Sequence, residues 1–214
     1  MKRGSVFLFF LLFVFVLSPP AYSASITFGL NSSVDGSSPS GKQPWLTATF
    51  EDVSKGLVNL TLDASNLDSG SQFVTSWGFN FYSKYDVGVG FDPTFNNPGK
   101  LTGITIGDAP DTKGISNLIL GFEKANKSGF DAGEIFKFRL ESTVDGFSAS
   151  VFDVLAKFNP KAIGPFYSVA EIQGIGAGSG LIAAGAAVPE PSTMLLLGFG
   201  LMGLAYIGRR KFLK

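Results

Sequence analysis

Through the middle of the chain, apolar and polar residues alternate with a period of two. Val58, Leu60 and Leu62 are separated by Asn59 and Thr61, and Phe136, Phe138 and Leu140 by Lys137 and Arg139. Successive side chains of an extended strand point to opposite faces, so this pattern describes strands with one buried and one wet face. Leu46, Ala48 and Phe50 repeat it, and Trp77, Phe79 and Phe81 form an aromatic stripe between Gly78, Asn80 and Tyr82. Further strands are expected at 25–30, 101–106, 117–122, 147–153 and 166–173, with no helical period between residues 24 and 187. Asp35-Gly36, Ser69-Gly70, Asn97-Pro98-Gly99, Ser128-Gly129 and Asp145-Gly146 supply turn chemistry between the runs. The pattern predicts an all-β domain, an antiparallel β-sandwich of jelly-roll-like kind. No fixed repeat suggests a solenoid or propeller.

The two ends have a different character. Lys2 and Arg3 precede an apolar stretch at 6–17, then Ser18-Pro19-Pro20 and the small-residue site Ala21-Tyr22-Ser23. This is the layout of a secretory signal peptide, with cleavage expected between Ser23 and Ala24. At the other end, 18 residues without a charge separate Glu190 from Arg209. As a helix they span about 27 Å at 1.5 Å per residue, close to the ~30 Å hydrocarbon layer. Apolar side chains fall on every side of that helix, so 192–208 is expected to cross a membrane rather than lie on it. Arg209, Arg210 and Lys211 follow directly and form a membrane stop that stays on the cytoplasmic side.

These segments divide the chain into a signal peptide (1–23), a sandwich ectodomain (24–173), a glycine- and alanine-rich tether (174–188) and a C-terminal signal (189–214) carrying the transmembrane helix. Residues 31–41, rich in serine and glycine, read as a loop, and 181–184 could add an edge strand to the sandwich. The whole chain is neutral, but residues 24–188 hold 16 acids and 11 bases, a balance of minus five. No basic patch exists for nucleic acid.

The chain contains neither cysteine nor histidine. Disulfides, Cys/His zinc sites, thiolate nucleophiles and imidazole bases are therefore excluded, and the ectodomain depends on its apolar core. Glycoside hydrolysis needs only paired carboxylates, but Glu51, Glu123, Glu134, Glu141 and Glu171 fall at wet strand positions or in loops. Trp45, Trp77, Tyr82 and Tyr85 could stack on sugar rings, although the stripe assigns Trp77 to the core. Asp63-Ala64-Ser65-Asn66-Leu67-Asp68 and Asp108-Ala109-Pro110-Asp111 gather oxygen atoms without the EF-hand spacing, and read as solvated turns. Gly176-Ala177-Gly178-Ser179-Gly180 lacks the lysine and spacing of a phosphate loop. No metal, no cofactor and no catalytic residue are expected.

Val188-Pro189-Glu190-Pro191-Ser192-Thr193, followed by the glycine-interrupted apolar run and Arg209-Arg210, resembles the PEP-CTERM sorting signal of Gram-negative bacteria. The resemblance implies that Pro189, Glu190 and Pro191 are the motif read by an exosortase, a membrane cysteine transpeptidase, and that the protein accompanies exopolysaccharide in biofilm or surface structures. Trp77-Gly78-Phe79-Asn80-Phe81 and Ala170-Glu171-Ile172-Gln173-Gly174-Ile175-Gly176 are similar to segments of ectodomains carried by such tails. The expected partners are the Sec translocon, signal peptidase, an exosortase and exopolysaccharide. The expected route passes through the inner membrane, with the ectodomain outside the cytoplasm, to the cell surface or matrix. The expected role is that of a non-enzymatic surface or matrix protein, with a surface-anchored carbohydrate-binding module as the alternative and a glycosidase as the third reading.

Overall fold

A computed structural model describes residues 24–68, 70–98, 101–108, 115–123, 129–157, 165–185 and 187–188. The expected signal peptide (1–23), the motif Pro189, Glu190 and Pro191, the helix at 192–208, and Arg209, Arg210 and Lys211 lie outside them. The strands are β1 (Ser25–Leu30), β2 (Ser32–Gly36), β3 (Leu46–Ser54), β4 (Leu57–Asp63), β5 (Phe73–Tyr82), β6 (Gly88–Phe91), β7 (Leu101–Asp108), β8 (Ile115–Phe122), β9 (Phe130–Asp131), β10 (Ile135–Glu141), β11 (Ala156–Lys157), β12 (Pro165–Phe166), β13 (Ser168–Ile175), β14 (Gly178–Ala184) and β15 (Ala187–Val188).

All strand pairs are antiparallel. One sheet has the order β15-β1-β3-β4-β10-β6; the other runs β2-β14-β13-β5-β8-β7, with β9 also paired to β5. The β11–β12 pair stands apart. Hairpins β3–β4, β7–β8 and β13–β14 each stay within one sheet. Most other successive strands pass from one sheet to the other, and the architecture is a two-sheet antiparallel sandwich.

The alternation predicted from sequence produces the core. Val58, Leu60 and Leu62 on β4 and Phe136, Phe138 and Leu140 on β10 are fully buried, while their polar neighbours face out. Phe50 of β3 meets Phe79 of β5 across the two sheets, with ring centroids 5.0 Å apart, edge to face. Phe136 meets Phe122 of β8 at 5.2 Å. Phe28 of β1 stacks on Tyr167 at 5.4 Å, at the start of β13. On β5, both Val74 and Trp77 are fully buried although three residues apart. Strand β13 explains this: Glu171 pairs with Ser76 and Ile172 with Val74, so Thr75 is an extra residue that resets the parity of the strand. The Trp77 indole N–H donates to Ser168 Oγ at 2.8 Å, and that hydroxyl donates to the Gly78 carbonyl at 3.1 Å. The buried indole is thereby satisfied.

Three expectations are corrected here. Residues 147–153 do not form a strand: Ala149–Phe152 is a 3-10 turn, begun where Asp52 Oδ1 accepts the Ala149 N–H at 2.6 Å. That turn drives Phe152 between the sheets, stacked on Phe50 at 4.2 Å. Residues 31–41 are not all loop, since β2 pairs with β14 as an edge strand. Residues 174–188 are not a free tether: β14 lies inside the sheet between β2 and β13. Two of the segment's glycines, Gly174 and Gly180, are required by close backbone approach. A Cβ on Gly174, whose φ is +77°, would lie 1.8 Å from the Ser71 carbonyl oxygen, and one on Gly180 would lie 2.0 Å from that of Ser37.

Because Phe50 touches Phe28, Phe79 and Phe152 together, Phe50→Ala is expected to destabilise the domain by about 3–5 kcal/mol. Urea unfolding followed by tryptophan fluorescence measures this; a loss below about 1 kcal/mol would show that the cross-sheet cluster is not the main support.

Candidate functional site

The chain leaves the sandwich along β1. Strand β14 ends at Ala184, whose carbonyl accepts the Tyr167 N–H at 3.1 Å. Gly185 has open space where a Cβ would stand, and after it the chain crosses to the other sheet, where Ala187 pairs with Phe28 and Val188 with Thr27. The residue after β15 is Pro189, which has no N–H to continue a ladder. At the other end, Ala24, the expected mature N-terminus, is exposed, and its carbonyl accepts the Asp52 N–H at 2.9 Å. Ser23 lies outside the described residues. Strands β1 and β15 are antiparallel, so the beginning of one and the end of the other share one end of the sheet.

The remaining candidates are scattered. Trp77 is fully buried, Trp45 6 % exposed and Tyr85 7 % exposed; of the four proposed sugar-stacking rings only Tyr82, at 47 %, faces solvent. The aromatic platform is therefore not assembled, because Trp45 and Tyr85, both outside the strands, fold their rings into the same core as Trp77. Glu51 is exposed on β3, Glu171 lies half-buried on β13 in the other sheet, and Glu134 and Glu123 lie at strand ends. Burial raises the Glu134 carboxyl above its ordinary value, against the Asp131 N–H that donates to it at 2.8 Å. Glu141 lines an open groove of about 580 Å³ with Lys55 and Asp86. In the expected solvated turn, Asp63 Oδ1 accepts the Ser65 N–H at 2.7 Å and Asn66 donates to the Pro44 carbonyl at 2.9 Å. Among the described residues no group of His, Cys, Asp and Glu is arranged to hold a metal, and no helix is long and apolar enough to cross a membrane.

The best-built polar cluster was not singled out from sequence. Asp92 is 5 % exposed, and its Oδ1 accepts both the Thr94 N–H (2.9 Å) and the Thr94 hydroxyl (2.7 Å). Those two bonds hold its carboxyl below the ordinary aspartate value, opposed by burial and helped by Arg139, whose guanidinium stands 3.8 Å away, and Lys137. Asn97 donates to the Lys137 carbonyl at 3.1 Å and accepts the Lys137 N–H at 2.7 Å. Its amide thus extends the ladder of β10 past the end of β6, and Lys137 Nζ lies 4.9 Å from the Phe95 ring. The Asn97 amide and the Asp92 N–H, which donates to the Lys137 carbonyl at 3.0 Å, fasten the 92–97 loop to β10. The only sequence signal was the Asp92-x-Thr94 spacing of an Asx turn.

Residues 187–211 match the family described as the PEP-CTERM protein-sorting motif. No curated protein and no solved structure matches the chain. The match begins at Ala187, the first residue of β15. The chain is an exported protein carrying a C-terminal PEP-CTERM sorting signal, and its signal starts within the folded sheet.

The depressed Asp92 carboxyl contributes stability that is fully present above the ordinary aspartate value near 3.9 and is lost as pH falls through its lower folded value. Asp92→Asn is expected to lower the unfolding midpoint at pH 7, with the gap between the two proteins narrowing below about pH 4. Parallel urea titrations at pH 7 and pH 3 check this; a gap that stays constant would remove the charge from the account.

Proposed function

We propose that the chain is a non-enzymatic cell-surface or matrix protein whose sandwich is the cargo of its sorting signal. In this reading the Sec translocon exports it, and signal peptidase cuts between Ser23 and Ala24. Residues 192–208 hold it in the inner membrane, and Arg209, Arg210 and Lys211 stay on the cytoplasmic side. An exosortase then reads Pro189, Glu190 and Pro191 and releases the ectodomain to the surface, where it accompanies exopolysaccharide. The observation that carries the reading is the family match over 187–211. The complete absence of histidine and cysteine supports a non-catalytic cargo, as do glutamates distributed over both sheets.

The motif has a physical logic in this setting. Two prolines keep the backbone extended and unable to join a ladder. Glu190 is then the one charge between the sandwich and the apolar run, a marker that a membrane enzyme can find at a fixed depth.

Glu190→Gln and Glu190→Ala are expected to leave the full-length chain in the membrane of an exosortase-encoding host, with processed product reduced about tenfold or more, a loss of at least about 1.4 kcal/mol in recognition. Mass spectrometry of the released and membrane fractions measures this. Processing of both variants at the wild-type rate, or equal processing of the wild type in a host without exosortase, would overturn the reading.

A further inference from the structure

We propose that β7 pairs with β7 of a second copy of this chain, joining two seven-stranded sheets across a two-fold axis. Among the described residues the two open sheets have four edges, and three of them are poor templates for pairing. Strand β15 has two residues, β6 has four of which two are glycine, and β2 is short, largely exposed and carries Asp35. Strand β7 has eight residues, and from Leu101 to Gly107 it contains no charge and no proline. Charge, proline, shortness and β-bulges are the usual means of keeping an edge from pairing. This edge is long and has neither charge nor proline from Leu101 to Gly107, and its one bulge, between Leu101 and Gly103, lies before the stretch that would pair about Thr105.

The side chains along the same flank point to the same conclusion. Ile104 and Ile106 pair with Leu120 and Leu118, both fully buried, so they stand on the core-facing side of the sheet. Yet they are 41 % and 46 % exposed. Phe91 on edge strand β6 pairs with the buried Phe138 and stacks on it at 5.3 Å, but is 42 % exposed. The contact of Phe122 on β8 with Phe136 on β10 sets those strands face to face, so the edges beyond them, β7 and β6, lie on one flank. Along that flank Ile104, Ile106 and Phe91, all on core-facing positions, are left half-exposed.

A second copy fits this flank. In antiparallel pairing about Thr105, Ile104 of one copy faces Ile106 of the other, Gly103 faces Gly107 and Thr102 faces Asp108. No acid faces an acid, whereas residues 24–188 carry 16 acids against 11 bases, so that most other faces of two copies repel. The three half-exposed apolar side chains of each copy then cover those of the other. An eight-residue strand is about 27 Å long and the sheets stand about 10 Å apart, so a flank roughly 20 Å deep offers on the order of 500 Å² per copy. A standard interface takes about 800 Å² per partner. The dimer is accordingly reversible and concentration-dependent.

The chain has no cysteine, so a single introduced thiol reports only contacts between copies. The experiment uses the full chain in detergent micelles, with Thr105→Cys on the axis and Ser54→Cys, exposed at the end of β3, as the collision control. Under mild oxidation the Thr105→Cys chain is expected to form disulfide dimers about tenfold or more faster than the control, because pairing raises the local thiol concentration. Adding Ile104→Lys or Ile106→Lys, each at a half-exposed position, is expected to remove that advantage while circular dichroism stays that of the parent. Three results would each overturn the proposal: equal rates for Thr105→Cys and the control, an advantage that survives both lysine variants, or a parent chain that sediments as a monomer throughout a concentration series.

Discussion

The contact of Phe50 with Phe79, with centroids 5.0 Å apart at 89°, is the point at which the two sheets become one domain. A chain without cysteine has no covalent staple, and the mean of many apolar contacts must do what disulfides do in other exported domains. Phe50 is central because it contacts β1 through Phe28, β5 through Phe79 and the 3-10 turn through Phe152. A second aromatic group, Phe122, Phe130, Phe136 and Phe138, closes the far half of the sandwich. Ten phenylalanines are buried in this core, and their use there is a packing requirement: stacked and edge-to-face rings fill the space between sheets and add attraction beyond the area they bury.

How much of this could be read from sequence follows from what period-two alternation encodes. It reports strands with one dry and one wet face, and so β1, β3, β4, β8 and β10 were legible, as was the inner stripe of β5. It is silent where a strand is dry on both faces or built from small residues. Strand β14, whose Ile182, Ala183 and Ala184 are successive buried positions, looked like a spacer because glycine and alanine are also what spacers use. Residues 147–153 deceived in the opposite way. Their apolar residues alternate, but Asp52, 97 residues away in sequence from Ala149, caps a tight turn there, and such a distant partner leaves no local signal.

The same distinction separates the parts of the candidate site. A sorting motif is a linear address, a tripeptide followed by an apolar run and cations, so its recognition needs no knowledge of the fold. An aromatic platform is a property of a surface. Trp45 and Tyr85 carry no periodic context that tells which way their rings turn, and both turn inward. The Asp92 cluster was invisible for a related reason: Asn97 and Lys137 meet across 40 residues, with only a short Asx signature to mark one end.

The position of β15 has a consequence for export. Val188 stands opposite Thr27 in the sheet register, and the motif tripeptide follows without a spacer. Under the proposed route, the signal peptide precedes β1 and the membrane segment follows β15, and these two strands are antiparallel neighbours. Both membrane-directed segments therefore leave the sandwich at one end of one sheet edge. The domain can fold while held at both termini, since neither needs to pass around or through it. An enzyme that reads Pro189 to Pro191 then works on residues that directly follow the folded sheet in sequence, and among the described residues β15 is the ladder that would open to give it room. Two paired residues are the smallest such element in the six-stranded sheet, and an edge strand of that length separates at low cost compared with the interior strands.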